Sequence, residues 1–299
     1  MNVLVLGKGF ISDHLPYKKY DKHIPVDELT IEEKIIDKYR PDIIINCIGR
    51  TGSPNVDWCE NNKIETVESN ISIPLLLASV TEKYGIKLIH LGSGCIYYGR
   101  SPHATNQLMP NENGTYIDEF TNKKLSPTWI EPGWKETDFA NPVSFYSKTK
   151  YACDLALAPM DHVTILRLRM PISPMNSSRN LLSKLIQYSK VLEEPNSVTF
   201  TEDLVNAIDW VIKNNKTGIY HVTSPQPLTH SMLLDEYKKY VPNHQYEKIS
   251  KKELNKMVVA TRSNCILDSS KIINEGFVFT DVHTSIYKCV KSFVENKKL

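Results

Sequence analysis

The chain carries no excess of either charge. Across 299 residues, 36 Lys plus Arg stand against 34 Asp plus Glu, a formal net charge of +2. That removes the electrostatic reason to expect a nucleic-acid partner or an anionic membrane surface. Lysines gather at Lys18, Lys19 and Lys22, at Lys248, Lys251 and Lys252, and in the tail, but acids alternate with them, as on solvated faces. Cysteine is sparse: Cys47, Cys59, Cys95, Cys153, Cys265 and Cys289 form no CxxC pair and no dense framework. Such scatter suits reduced thiols in a cytoplasmic protein. The nine histidines show no ligand spacing, so no metal is expected. No uncharged apolar run approaches the ~20 residues that span a bilayer. The apolar run before Gly7 is too short for a signal-peptide core. Repeats and low-complexity linkers are also missing. What is left reads as a soluble intracellular chain, 41% hydrophobic, enough for one large domain or a large and a small one.

What is present begins with NVLVL (Asn2 to Leu6), a buried parallel strand by composition, followed by Gly7-Lys8-Gly9-Phe10-Ile11-Ser12. A strand running into a glycine-rich turn and a helix is the first unit of a dinucleotide-binding fold. Gly7 permits the turn, and Gly9 lets backbone approach a pyrophosphate at the helix start. Ser12 stands where a third small residue is usual. A second strand is expected near His23 to Val26, and a helix over Thr30 to Tyr39 capped by Thr30. No acidic residue clearly ends that second strand to bind a ribose. Asp27 or nearby lysines are the candidates, which leaves NADPH against NADH open. Further strands are read at Asp42 to Cys47, Lys87 to Leu91, Val163 to Leu168 and Gly218 to Val222, and helices at Lys63 to Tyr84 and Ser144 to Ala158. Residues 99–141 read as a long excursion over the active-site mouth. The fold class is α/β, a doubly wound parallel sheet with a smaller C-terminal substrate lobe. Residues 1–168 form the NAD(P)-binding part, 201–222 return to it, and 169–200 with 223–299 form the lobe.

Ser144-Phe145-Tyr146-Ser147-Lys148-Thr149-Lys150 puts Tyr146 and Lys150 one helical turn apart on one face. A lysine ammonium beside a phenol favours phenolate and equips Tyr146 to exchange a proton with a substrate oxygen. Upstream, the strand ending near Leu91 runs into Gly92-Ser93-Gly94-Cys95. If the chain stays extended there, Ser93 and Cys95 face the same side.

The Gly-x-Gly turn, the Ser93 hydroxyl and Tyr146-x-x-x-Lys150 together resemble the extended short-chain dehydrogenase/reductase family. Finer text narrows the resemblance: Gly49-Arg50-Thr51-Gly52-Ser53-Pro54-Asn55-Val56-Asp57-Trp58-Cys59-Glu60, Gly94-Cys95-Ile96, Arg167-Leu168-Arg169-Met170-Pro171-Ile172-Ser173 and Ala260-Thr261-Arg262-Ser263-Asn264. It is similar to the branch of bifunctional 3,5-epimerase/4-reductases that make nucleotide-linked L-rhamnose in plants and some large viruses, related to dTDP-4-dehydrorhamnose reductase. The departures are a shortened strand-two region, Ser93 where the plant enzymes carry Thr, and an insertion around Thr105 to Thr128.

The resemblance implies a UDP- or dTDP-4-keto-6-deoxyglucose substrate, NADPH as cofactor and Ser93, Tyr146 and Lys150 at the reducing centre. Its epimerase pair carries over to Cys95 and Lys184. Gly7, Gly9, Phe10, Ile11, Gly49, Arg50, Thr51, Asn70, Tyr146 and Lys150 are assigned to the cofactor, Lys150 to its nicotinamide ribose and Asn70 also as a brace for active-site backbone. Asn55, Cys95, Arg169, Met170, Asn180, Arg262 and Asn264 are assigned to substrate, the arginines because a guanidinium fork suits phosphate. A homodimer is the expected assembly. Plainer readings stay open: Cys95 as a core residue, Lys184 as a solvated lysine, the two arginines as surface ion pairs. At the level of the whole chain, a reductase lacking epimerase activity and a non-catalytic regulatory subunit are the alternatives.

Overall fold

The computed structural model describes residues 1–20, 22–24, 27–53, 55–104, 108–110, 116–118 and 132–297. Six strands form one parallel sheet: β1 (Val3–Leu6), β2 (Lys18–Tyr20), β3 (Ile43–Asn46), β4 (Lys87–Ser93), β5 (Val163–Leu168) and β6 (Gly218–His221). Their order is β6-β5-β4-β3-β1-β2, every neighbour parallel. This is the Rossmann-like doubly wound sheet that the alternation of strands and helices predicts.

The inner strands are apolar because both faces are covered. Side chains alternate between the faces. Leu4, Leu6, Ile44, Leu88 and Ile165 pack with Leu77 and Val80 of helix α2 (Ile73–Lys83) and Leu157 of helix α3 (Phe145–Leu157). Val5, Ile45, Ile89 and Leu166 pack with Leu204, Ile208 and Val211 of the helix Thr201–Lys213. A third core joins Ile172, Phe200 and Leu233 to Val290 and Phe293 of the helix Val282–Lys297. It also takes Leu182 and Leu185 from helix α4 (Leu181–Leu185).

Two local expectations are corrected. The second strand is Lys18–Tyr20 rather than His23 to Val26; Pro25 and Val26 lie outside the described residues. It is an edge strand that buries Tyr20 alone, so it reads as a lysine cluster, and edge lysines deter further pairing. The helix expected from Thr30 begins at Glu28, capped by Asp27, whose carboxylate accepts the Thr30 N–H at 2.7 Å. Asp27, a ribose candidate by sequence, is therefore engaged as a helix cap. About half of the 99–141 excursion lies outside the described residues. Its described parts include the antiparallel pair Leu108–Pro110 and Tyr116–Asp118, and Trp134, which bridges to Leu267. Among the described residues no helix is long and apolar enough to cross a membrane.

The chain steps from β1 outward to β2, then crosses to β3 on the other side of β1. The loops after β1 and β3 diverge there, and such a switch point at the carboxyl edge is where these sheets bind ligands.

Candidate active site

The first wall of the site is the turn after β1. Gly7 has φ of 102°, and a Cβ there would press on Ile48 and Cys47 at 3.1–3.2 Å. Only glycine lets the two switch-point loops approach this closely. Gly9 donates its N–H to Ser12 Oγ at 2.9 Å, and Ser12 Oγ donates to the Gly9 carbonyl at 2.8 Å. Ser12 thus closes the turn that a third glycine would otherwise shape. Nothing lies within 4 Å of where a Gly9 Cβ would stand, which leaves the turn open to a bound dinucleotide. Phe10 and Ile11 follow, half-buried, on the short helix α1 (Phe10–His14).

The second wall is the loop after β3, with Gly49, Arg50 and Thr51 exposed. Its brace is Asn70. This side chain is 0% exposed in a π-helical turn, Glu68–Ser72, that leads into α2. Asn70 Oδ1 accepts the Arg50 N–H at 2.7 Å; Nδ2 donates to the Arg50 carbonyl and to Thr149 Oγ1, both at 3.1 Å. One buried amide joins the β3 loop to the Tyr146 helix. A π-turn inside a helix often marks such a functional placement.

The reacting groups lie between these walls. β4 ends at Ser93, and the expected extended course to Cys95 is not what forms. Gly94–Ile96 is a 3₁₀ turn in which the Cys95 N–H donates to Ser93 Oγ at 3.2 Å. A Cβ at Gly94 would run into the end of the Leu267 side chain, which would have to shift. The turn is tied to the first turn of α3: Ser147 Oγ donates to the Cys95 carbonyl at 2.7 Å, and Tyr98 Oη lies 3.0 Å from both Ser144 Oγ and Ser147 Oγ. Ser93, Cys95 and Tyr146 converge by this route. Burial first, and then Cys95, push the Tyr146 phenol above its ordinary range, while its hydrogen bond with Ser93 acts the other way.

Lys150 does not support a phenolate. Its Nζ lies 3.1 Å from His90 Nε2 and donates to the Leu91 carbonyl at 3.0 Å, both on β4. The sequence-based expectation places Tyr146 toward phenolate; here the ammonium is held by β4, and burial pushes the phenol the other way.

Several assigned substrate contacts are occupied within the protein. All five N–H groups of Arg169 are used. Asn196 Oδ1 takes two, at 2.9 and 2.6 Å; Ser263 takes two, at 2.9 Å on Oγ and 2.7 Å on its carbonyl; Cys95 Sγ takes the fifth, at 3.1 Å. No N–H is left for a phosphate, and the residue is 1% exposed. Asn180 is fully buried as the cap of α4. Its amide accepts from Ser173 N–H and Leu182 N–H and donates to the Ser173 and Met175 carbonyls. Asn264 donates to Glu194 at 2.7 Å and accepts from Asn196. Arg169 and Asn180 are corrected from ligand contacts to framework, because their side-chain N–H groups are all spent on the chain itself, whereas half-buried Asn264 keeps an amide N–H beyond the one given to Glu194. Met170 has φ of 38°, a strained value for a residue with a side chain, and packs against the third core. Asn55 Oδ1 accepts the Asp57 N–H at 2.9 Å, shaping the loop.

Arg262 forms a two-pronged pair with Asp57, at 2.6 and 3.0 Å, and also donates to the Ala260 carbonyl at 2.9 Å. Arg179 donates to Thr51 Oγ1 at 2.6 Å and to the Gly52 carbonyl at 2.5 Å. Both arginines reach from the C-terminal half onto the β3 loop. Lys184 on α4 lies near them, and burial, then Arg179, then Arg262 hold its amine below the ordinary lysine range. The sequence reading missed Arg179, His90 and the Asp57 partner. Asp57 stood inside the quoted Gly49–Glu60 stretch; the other two carry no local signal.

A family model described as the RmlD substrate binding domain matches residues 19–294. The chain is 35% identical over 266 residues to a bifunctional dTDP-4-dehydrorhamnose 3,5-epimerase/dTDP-4-dehydrorhamnose reductase of Arabidopsis thaliana, covering 88% of this chain and 80% of that one. It is 33% identical to a trifunctional UDP-glucose 4,6-dehydratase/UDP-4-keto-6-deoxy-D-glucose 3,5-epimerase/UDP-4-keto-L-rhamnose reductase of the same plant. That match covers 98% of this chain but only 41% of the longer relative. Among solved structures, a UDP-rhamnose synthase from Acanthamoeba polyphaga mimivirus superposes with a TM-score of 0.81 at 27% identity, covering 97% of this chain and 99% of that one. The family model and these relatives match the chain over most of its length, and the protein belongs to the RmlD substrate binding domain family.

Proposed function

We propose that this chain makes a nucleotide-linked L-rhamnose, epimerising UDP- or dTDP-4-keto-6-deoxyglucose at C3 and C5 and then reducing C4 with NADPH. The observation that carries the reading is the convergence of Ser93, Cys95 and Tyr146, with the phenol interacting with both neighbours. The relatives' names supply the substrate class.

The C4 ketone makes the hydrogens on C3 and C5 acidic, since loss of either leaves an enolate. Ser93 and Tyr146 O–H groups donate to the C4 oxygen and stabilise that charge. Cys95 and Lys184 remove and return protons on opposite faces of the ring. A lysine held below its ordinary range suits this work near neutral pH. NADPH, when bound against the Gly7–Ser12 turn and the Arg50–Thr51 loop, supplies the hydride for C4. Tyr146 gives its proton to the C4 oxygen. A phenol pushed up by burial stays protonated until that moment, as an acid must. Once C4 is an alcohol, the C3 and C5 hydrogens are no longer acidic, and the new configuration is locked.

The reading extends to a cofactor-binding part of 1–168 with 201–222, a nucleotide-sugar lobe of 169–200 with 223–299, a cytoplasmic location and a homodimer. Neither nucleic acid nor membrane is a partner in it. The deciding variants are Cys95→Ala and Lys184→Ala. Each should abolish conversion of the 4-keto-6-deoxyglucose substrate to the rhamnose product, whereas a reductase lacking epimerase activity would be indifferent to both.

A further inference from the structure

Arg169 is a buried cation, 1% exposed. Among the described residues no carboxylate pairs with it; its partners are Asn196, Ser263 and a thiol. A desolvated guanidinium in neutral surroundings is costly. The groups near it that can become anionic include the Cys265 and Cys95 thiols. Cys265 Sγ is turned toward the Gly94 carbonyl, 3.6 Å away. Cys95 Sγ receives an Arg169 N–H at 3.1 Å. Because the other four N–H groups are fixed on Asn196 and Ser263, the direction of the fifth is fixed too.

We propose that Arg169 is a positioning residue for the epimerisation half of the reaction. It aims Cys95 Sγ and supplies the positive charge that faces the sulfur while its proton resides on the sugar. The inference rests on the role proposed for Cys95. When Cys95 acts as acid, the S–H bond breaks as a C–H bond forms from the enolate electron pair. The sulfur keeps the S–H electrons as thiolate and remains hydrogen-bonded to Arg169 throughout. When Cys95 acts as base, the same charges run in reverse, and Arg169 neither gains nor loses a proton.

The test compares two rates in each protein. One is deuterium entry at C3 and C5 of UDP-4-keto-6-deoxyglucose in heavy water without NADPH; the other is NADPH oxidation with UDP-4-keto-L-rhamnose, which needs no epimerisation. Asn196→Asp keeps the acceptor that Arg169 uses, at the loss of the donor to Asn264, and sets a carboxylate of nearly the same shape against the guanidinium, cancelling its charge. Since a positioned acid or base is worth about 10²–10⁴ in rate, partial loss of its support should lower the exchange-to-reduction ratio roughly tenfold. Arg169→Met should lower it further, with Arg169→Lys in between. Alkylation of Cys95 by iodoacetamide should slow in the same order. A wild-type ratio in Asn196→Asp overturns the proposal, and that variant decides if the Arg169 variants do not fold. Cys95→Ala separates the two ideas. If it keeps wild-type exchange, the assigned epimerase chemistry falls and this inference with it. If it loses exchange while Asn196→Asp keeps it, only the role of Arg169 falls.

Discussion

Lys150 takes its bearings from His90, not from Tyr146: Nζ sits 3.1 Å from His90 Nε2, inside the sheet. The imidazole can accept only if Nε2 is unprotonated. Burial first, and then Lys150, hold His90 well below the ordinary histidine range, so it stays neutral. Replacing it by leucine leaves an ammonium N–H without this acceptor, at a cost of about 1–3 kcal/mol. His90→Leu should therefore lower thermal stability and, with the lysine loosened, raise KM for NADPH more than it lowers kcat. The linkage also has a sign. A histidine depressed in the fold binds its proton more readily when unfolded. Its contribution is present above an ordinary pKa of about 6.5 and lost as pH falls below it. Between pH 7 and pH 5 the urea midpoint of wild type should drop more than that of His90→Leu. Parallel drops would remove His90 from the account.

Tyr146→Phe tests the proton donor alone. Loss of a positioned acid should lower C4 reduction roughly 10²–10⁴-fold. Exchange at C5 should persist, weakened only by the loss of one of two donors to the C4 oxygen. Because the phenol is held above its ordinary range, reduction by wild type should show no decline attributable to Tyr146 as pH rises from 7 toward about 10. A falling limb near pH 8 that vanishes in Tyr146→Phe would contradict this.

Asn70→Ala removes the brace between the β3 loop and α3. The Arg50 N–H and carbonyl and the Thr149 hydroxyl lose their partner together. Stability should fall by about 1–3 kcal/mol for the stranded groups, and KM for NADPH should rise. Asn70→Asp keeps the acceptor and loses the donors, so an intermediate effect is expected. Calorimetry with steady-state kinetics reads both.

The Asp57–Arg262 pair joins residues far apart in the chain, and its strength depends on acid. Asp57 is held below the ordinary carboxylate range, chiefly by its hydrogen bond from Arg262. The pair's contribution is complete above an unfolded pKa of about 3.9 and is lost as pH falls through the lower folded value. Both side chains are about a quarter exposed, so the coupling should be no more than about 1 kcal/mol. A double-mutant cycle of Asp57→Ala and Arg262→Ala, read by urea unfolding at pH 7 and at pH 3, should show a coupling that is smaller at the lower pH.

The inner strands of the fold were legible because burial on both faces writes apolar runs such as Val3–Leu6 and the three isoleucines that open Ile43–Asn46. The edge strand Lys18–Tyr20 was not, since an edge buries one residue and gives no period. At the site, Ser93, Cys95, Tyr146 and Lys150 lie in short stretches whose spacing carries the chemistry. Which partner each side chain chooses is a three-dimensional matter. Nothing in the sequence shows that Arg169 faces Cys95 rather than a phosphate, or that Lys150 turns to His90. Those contacts join β4 to α3 and to the segment after β5, and only the closed sheet brings them together.

The central claim is one site for two reactions, and product identity tests it most directly. UDP-4-keto-6-deoxyglucose is incubated with NADPH and this chain as the sole enzyme, and the sugar is assigned by NMR. The account predicts UDP-L-rhamnose, with solvent hydrogen at C3 and C5 and cofactor hydrogen at C4. A 6-deoxyhexose that keeps the original configuration at C3 and C5 would contradict it.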